Sequence, residues 1–199
     1  NHTSIQIPRS SEMPQTEPFA ALRYNLDHIG SLSDVIAPPY DVIDPDLRDQ
    51  LYKRHPANVI RVILNRPEPG DCGDERYERA AKFIQQWKSE GVLKQEEQPA
   101  YYVYHQQFTH DGATITRRGF MGRVRLQPFG QGNIYPHEET HPKAKVDRLK
   151  LTTATRQNNS QIFGLYPDPA NEVIGLLDES AEKVDPIEAT DHLGVRHVL

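Results

Sequence analysis

Between Ile134 and Lys143 the chain reads Ile-Tyr-Pro-His-Glu-Glu-Thr-His-Pro-Lys, its richest run of groups able to bind ligands or move protons. His137-Glu138-Glu139-Thr140-His141 matches the pattern H-E-x-x-H letter for letter. On a helix that spacing puts two histidines one turn apart to hold zinc, with the first glutamate set to activate a metal-bound water. Pro142 argues against a helix there, because the residue before a proline is driven out of the α region. Pro136 and Pro142 leave room for only one turn between them. The segment is therefore read as a polar loop. His137 and Glu138 are its candidate catalytic groups and Thr140 a candidate ligand contact. No metal ligand set is assigned, and a zinc-dependent hydrolase is the weakest functional alternative.

The next stretch, Lys143-Ala-Lys145-Val-Asp147-Arg148-Leu-Lys150, carries charge of a different kind. On a helix Arg148, Thr152, Thr155 and Asn159 would share one polar face. Basic side chains near a helix start suit a phosphate or carboxylate, through charge and free backbone N–H groups. Lys145 and Arg148 are thus candidate phosphate ligands, against the plainer alternative of a solvated helix face. The chain contains neither a P-loop nor G-x-G-x-x-G, and no nucleophile-elbow pattern points to a serine hydrolase. Its single cysteine, Cys72, lies in a Pro/Gly/Asp-rich loop without a local histidine or basic group, so a catalytic thiol is disfavoured and an internal disulfide is excluded.

These groups must be held by a fold whose character composition bounds. With 199 residues, 36% hydrophobic, the chain can bury a core of one or two domains, while its 16 prolines demand long loops. A net charge of −5 without a basic patch makes a nucleic-acid partner unexpected. No run reaches the roughly 18 apolar residues that a membrane span needs, and no secretory signal is visible, so a cytoplasmic location is expected.

Asp44-Pro45 is a strong helix start, with Asp as N-cap and Pro at the first helical position, and that helix should end before His55-Pro56. Asn58–Leu64 is short and β-branched and is predicted to be a buried strand. Residues 74–90 form the clearest helix. Tyr77, Ala80, Ala81, Ile84 and Trp87 make one apolar stripe, Gly91 suits the left-handed cap, and Trp87 is read as core. Tyr101–Phe108 and Thr114–Leu126 are expected strands joined by a hairpin at His110-Asp111-Gly112. A helix is expected from Lys145 to about Asn158, carrying Val146, Leu149, Thr153 and Ala154. A strand over Gln161–Tyr166, a helix over Asn171–Lys183 and one or two strands over Pro186–Leu199 follow. This mixture without a strict βαβ rhythm predicts an α+β fold, a mixed or antiparallel sheet with packed helices. Ser33–Ile43 bends stiffly at Pro38-Pro39, cannot serve as a central strand, and would present Tyr40 and Asp41 at fixed angles.

Several of these motifs occur together in one family. Glu17-Pro-Phe-Ala-Ala-Leu-Arg-Tyr-Asn25, Val35-Ile-Ala-Pro-Pro-Tyr-Asp-Val-Ile43, Pro136-His-Glu138 with Thr140, and Asp147-Arg-Leu149 running into Ala154-Thr-Arg156 and Asn158 resemble the bacterial and archaeal domain of unknown function 1015 family. The resemblance covers about residues 17–199. Residues 1–16 are set apart as an extension, and 17–199 as an α+β module expected to be the first half of a longer protein. Family members are about twice this length. The resemblance implies a later half similar to the ParB/sulfiredoxin-like superfamily, which includes a nucleotide-using free-serine kinase. The Asp-Gly-His-His-Arg motif behind that link does not occur in these residues. What the resemblance carries over is Pro39, Tyr40, Asp41, His137, Glu138, Thr140, Asp147 and Arg148, without roles.

The roles are assigned from side-chain chemistry. The leading reading is part of a phosphate-handling small-molecule enzyme, kinase- or phosphotransferase-like. Glu138 would be base or metal-binding carboxylate, and His137 would polarise substrate. Asp41 would be a further catalytic acid, Tyr40 and Thr140 ligand contacts, and Lys145 with Arg148 phosphate ligands. A kinase of this kind would use a nucleotide with magnesium. The runner-up is a non-catalytic regulatory module for an anionic metabolite. Either way Tyr40, Asp41, His137, Glu138 and Arg148 are expected to converge.

Overall fold

The computed structural model describes residues 14–128 and 130–199. The extension set apart in the sequence thus lies, up to residue 13, outside the described residues. Helices α1 (Leu26–Ile29), α2 (Pro45–Arg54), α3 (Ile60–Ile63) and α4 (Glu75–Ser89) precede most of the strands, and α5 (Pro142–Thr155) and α6 (Glu172–Ala181) follow. Strands β4 (Tyr102–His110), β5 (Ala113–Met121), β7 (Glu188–Thr190) and β8 (Arg196–Val198) form one antiparallel sheet in the order β5-β4-β8-β7. Two small antiparallel pairs flank it: β1 (Thr16–Glu17) with β6 (Arg123–Val124), and β2 (Leu22–Tyr24) with β3 (Leu93–Gln95). The fold is α+β.

Local chemistry accounts for most of these elements. The Asp44 carboxylate accepts from the Leu47 N–H at 2.8 Å and Pro45 opens α2, so the helix starts where both residues favour it. On α4 the stripe Tyr77, Ala80, Ile84 and Trp87 is buried against Ile29, Val35, Ala57, Val62 and Leu151, forming the main core. A second cluster gathers Leu51, Ile60 and Ile63. Asp111 (φ 50) and Gly112 (φ 77) are both left-handed, as a two-residue hairpin turn requires.

Three expectations are corrected. The run Asn58–Leu64 forms the helical turns of α3, not a strand. Asn58 decides this. It is fully buried, its amide donates to the carbonyls of Asp34 (2.8 Å) and Ile36 (3.0 Å), and its oxygen accepts from the Ile60 N–H at 3.0 Å. The last bond holds the first N–H of the helical turn, the other two anchor Asn58 to the preceding segment, and burial of Ile60, Val62 and Ile63 overrides their β-branched preference. The expected strand Thr114–Leu126 breaks at Gly122, and β6 changes partner to β1. A Cβ at Gly122 would lie 2.7 Å from the Tyr101 ring, so only glycine permits the close approach. Gln161–Tyr166 forms no strand, although its Phe163 and Tyr166 rings reach Arg117 and Phe120 of β5. Among the described residues, no helix is long and apolar enough to cross a membrane.

Candidate functional site

Helices α4 and α5 meet through a network centred on Asp147. Its Oδ1 accepts from the Tyr77 hydroxyl at 2.7 Å and from Arg76 Nη2 at 2.6 Å. Its Oδ2 accepts from Arg148 Nε at 2.8 Å and again from Arg148 Nη2. Burial pushes the Asp147 carboxyl up, but the hydrogen bonds from Tyr77 and Arg148 and the charges of Arg148 and Arg76 outweigh it, and the net shift is downward. Tyr77 moves the opposite way, raised first by burial and then by its bond to the Asp147 carboxylate.

Arg148 is held on every side. Its two terminal nitrogens donate to the Ile63 carbonyl at 3.1 Å each, and its guanidinium lies 3.9 Å from the Tyr40 ring centroid. Four N–H directions are thereby committed inside the protein, and only one of its five remains. Arg148 staples α5 to the C-terminus of α3 and to the bend after Pro39.

Beside this network an open groove of about 560 Å³ runs between the start of α4 and residues 142–150 of α5. Asp74, Arg76 and Tyr77 line one wall, and Lys143, Val146 and Lys150 the other. Lys150 donates to Asp74 at 2.7 Å, a bond that raises its pKa above the usual lysine value. Arg76 is paired with Asp147, whereas Lys143 has no ion pair among the described residues.

The sequence-derived candidates divide into two groups. Tyr40 and Arg148 are in contact, with Asp147 beside them. Asp41 is exposed, one residue along from Tyr40. His137, Glu138, Thr140 and Lys145 are exposed as well, and the ion pair that the structure gives His137 and Glu138 is with each other, at 3.8 Å. Helix α5 begins at Pro142 with His141 extended (φ −59, ψ 130), so His137 and His141 do not share a helical face. Among the described residues, no group of three or more His, Cys, Asp or Glu side chains is placed to hold a metal ion.

Asp74 and Arg76 were not singled out from the sequence, Tyr77 was read only as part of an apolar stripe, and Lys143 only as the start of a basic stretch. One signal was available: a tyrosine on a buried stripe needs a partner for its hydroxyl, and Asp147 supplies it. A second polar constellation on the sheet was also missed. The Tyr104 hydroxyl is 2.6 Å from His197 Nδ1, and His197 Nε2 is 3.2 Å from Asp191 Oδ2. Asp191 Oδ1 in turn accepts the N–H groups of Leu193 and Val195, at 2.9 Å each.

A core packed on α4, an antiparallel sheet to one side and a stapled α4–α5 junction define an α+β module in which the Asp147-Arg148 pair organises the junction. Residues 16–199 match the family described as protein of unknown function (DUF1015), and the chain belongs to that family. No curated protein and no solved structure matches the chain.

Proposed function

We propose that the chain holds a small phosphate-bearing metabolite in the α4–α5 groove, as part of a phosphate-handling enzyme of the kinase or phosphotransferase kind. The observation that carries this reading is the groove itself. Its volume is that of a small-molecule site, and Arg76, Lys143 and Lys150 line it against two acids, with Lys143 left for a ligand. Arg148, with four of its five donors committed, positions Asp147 and Tyr40 instead of meeting the phosphate.

The loop carrying His137 and Glu138 enters α5 at Pro142, a wall of the groove. Four residues of extended chain span at most about 14 Å, so Glu138 is tethered within reach of the groove. As a base it would take the proton of the hydroxyl that accepts phosphate. A nucleotide-dependent transfer would bring magnesium, held by carboxylates and phosphate oxygens.

The test is calorimetric titration with inorganic phosphate, phosphoserine and ADP–magnesium. At least one should bind, and Lys143→Ala should weaken it about tenfold or more, the worth of one charge-assisted hydrogen bond. No binding by any of the three, or binding indifferent to both Lys143→Ala and Arg76→Ala, would sink the groove as the site. A second reading, a regulatory module without turnover, is favoured by the 83% and 66% exposure of the His137 and Glu138 side chains, since a base usually works shielded from water. Glu138→Gln separates the two. An enzyme keeps the ligand and loses phosphoryl transfer, and a regulatory module has no transfer to lose.

A further inference from the structure

Gln161-Ile-Phe-Gly-Leu-Tyr166 has the composition of a strand and carries no ladder. Two contacts locate it. The Arg117 guanidinium lies 5.4 Å from the Phe163 ring centroid, and the Tyr166 ring meets Phe120 edge-on at 5.9 Å. Phe163 and Tyr166 are three residues apart, as are Arg117 and Phe120, and both pairs ascend together. The two contacts therefore run in the same order along the segment and along β5, the order of a parallel neighbour. Residues three apart on a strand point to opposite faces, so the segment lies beside the edge of β5 and not across one face.

Among the described residues that edge is unpaired, because β5 is outermost in the order β5-β4-β8-β7. A parallel partner needs a crossover of a dozen or more residues, usually helical. The chain between Met121 and Gln161 supplies one, with α5 inside it. In the same register Leu165 falls level with Gly119, where an added Cβ would meet nothing within 4 Å. Ile162 and Leu165 are 95% and 88% exposed where they stand.

We propose that residues 161–166 form a strap that closes onto β5 as a fifth, parallel strand, and that the structure shows it open beside its docking edge. Closure pairs the outward N–H and C=O groups of β5, seats Leu165 in the space that Gly119 leaves, and withdraws the edge from other chains. An unprotected edge invites strand addition from neighbours, so the strap acts as an edge guard.

Amide hydrogen exchange on the unmodified protein tests this. Alternate amides of residues 162–165, those that donate to β5, should exchange at least about tenfold more slowly than an unstructured chain, the modest protection expected of an edge that opens locally. A cross-link fixes the register. Paired strands lie about 4.8 Å apart, within the Cα separation that a disulfide tolerates, whereas a site four residues further along is about 13 Å away. With Cys72→Ser as background, Phe163→Cys with Arg117→Cys should therefore cross-link on mild oxidation, and Phe163→Cys with Met121→Cys should not. Free exchange over 162–165, or equal cross-linking of both pairs, overturns the strap. Protection that grows with protein concentration also overturns it, because the partner strand would then belong to a second copy.

Discussion

Around α4, nine buried residues from α1, the segment after it, the loop between α2 and α3, α3, α4 and α5 interlock, and the aromatic pairs Tyr24–Trp87 and Phe83–Trp87 close the cluster at ring separations of 6.3 and 5.8 Å. The four-stranded sheet, by contrast, buries a single side chain among the described residues, Ala189. Its cohesion comes from backbone ladders and from polar links such as Tyr104–His197–Asp191 and Arg196–Glu188, while Arg118–Asp178 ties it to α6. Apolar burial contributes roughly 25 cal/mol per Å², while exposed ion pairs contribute little, so stability is concentrated on the helical side. The groove and its network sit on that side, at the rim of the core. The sheet is the softer part, and it is there that a strap can come and go.

Truncation should expose the contrast most sharply. Trp87→Ala is expected to cost about 3–5 kcal/mol, the usual loss for a large aromatic removed from a packed core. Ile115→Ala on the outer strand of the sheet, 39% exposed, should cost less than about 1 kcal/mol. Urea denaturation followed by circular dichroism measures both. Comparable losses would mean that the sheet is packed as tightly as the helical core, and the comparison would fail.

Asn58→Ala comes next, at about 1–3 kcal/mol, because it strands two carbonyls and one N–H in the interior. Asn58→Asp keeps the cap on Ile60 but offers no donor to Asp34 and Ile36, so it should be no better tolerated. This residue also marks where sequence reasoning ends. The caps of α2, the stripe of α4 and the turn at Asp111-Gly112 were legible because each is decided by residues a few positions apart. Whether Val59–Leu64 becomes strand or helix is decided by an amide that reaches back to Asp34 and Ile36, and a short apolar run carries no such information. Helix α5 shows the same limit. Val146 and Leu149 read as its apolar side, yet both are exposed, and Asp147 and Arg148 turn inward to partners about seventy and eighty-five residues away. For the candidate site, Tyr40 and Arg148, two of the five residues expected to converge, are in contact, while His137 and Glu138 stand exposed on their loop. The groove was not anticipated, because Asp74, Arg76 and Lys143 look in sequence like ordinary solvated charges.

A smaller effect is expected from Tyr104→Phe. Its hydroxyl links β4 to β8 through His197, and its ionisation is pushed up first by burial and then by the Asp191 charge, so at neutral pH it remains a hydrogen-bond donor. Losing it should cost about 1 kcal/mol and speed amide exchange in β8 while leaving α4 unchanged. Faster exchange in α4 as well would show that the two regions open as one unit.

The smallest expected effect is also the most diagnostic of where charge is stored. Among the described residues, the carboxyls drawn below their ordinary values, Asp71, Glu75 and Asp147, all belong to the helical side. For Asp71 the chief cause is Arg79, whose two terminal nitrogens donate at 3.1 and 2.7 Å. The Glu68 N–H adds a third bond at 2.8 Å, and the carboxyl is held down to about 2. In the unfolded chain the same group titrates near the usual aspartate value of about 3.9. A carboxyl whose folded value is depressed stabilises the fold fully above its unfolded value, and that contribution drains away as pH falls toward the folded one. Asp71→Asn should therefore lower the urea midpoint slightly at pH 7, and the deficit should shrink from about pH 4 and be gone near pH 2. A deficit that stays constant across that window would mean that Asp71 contributes through neutral hydrogen bonding and loop shape alone. A deficit that closes only well above pH 4 would point to a histidine, and so away from the helical side's carboxylates as the acid-sensitive element.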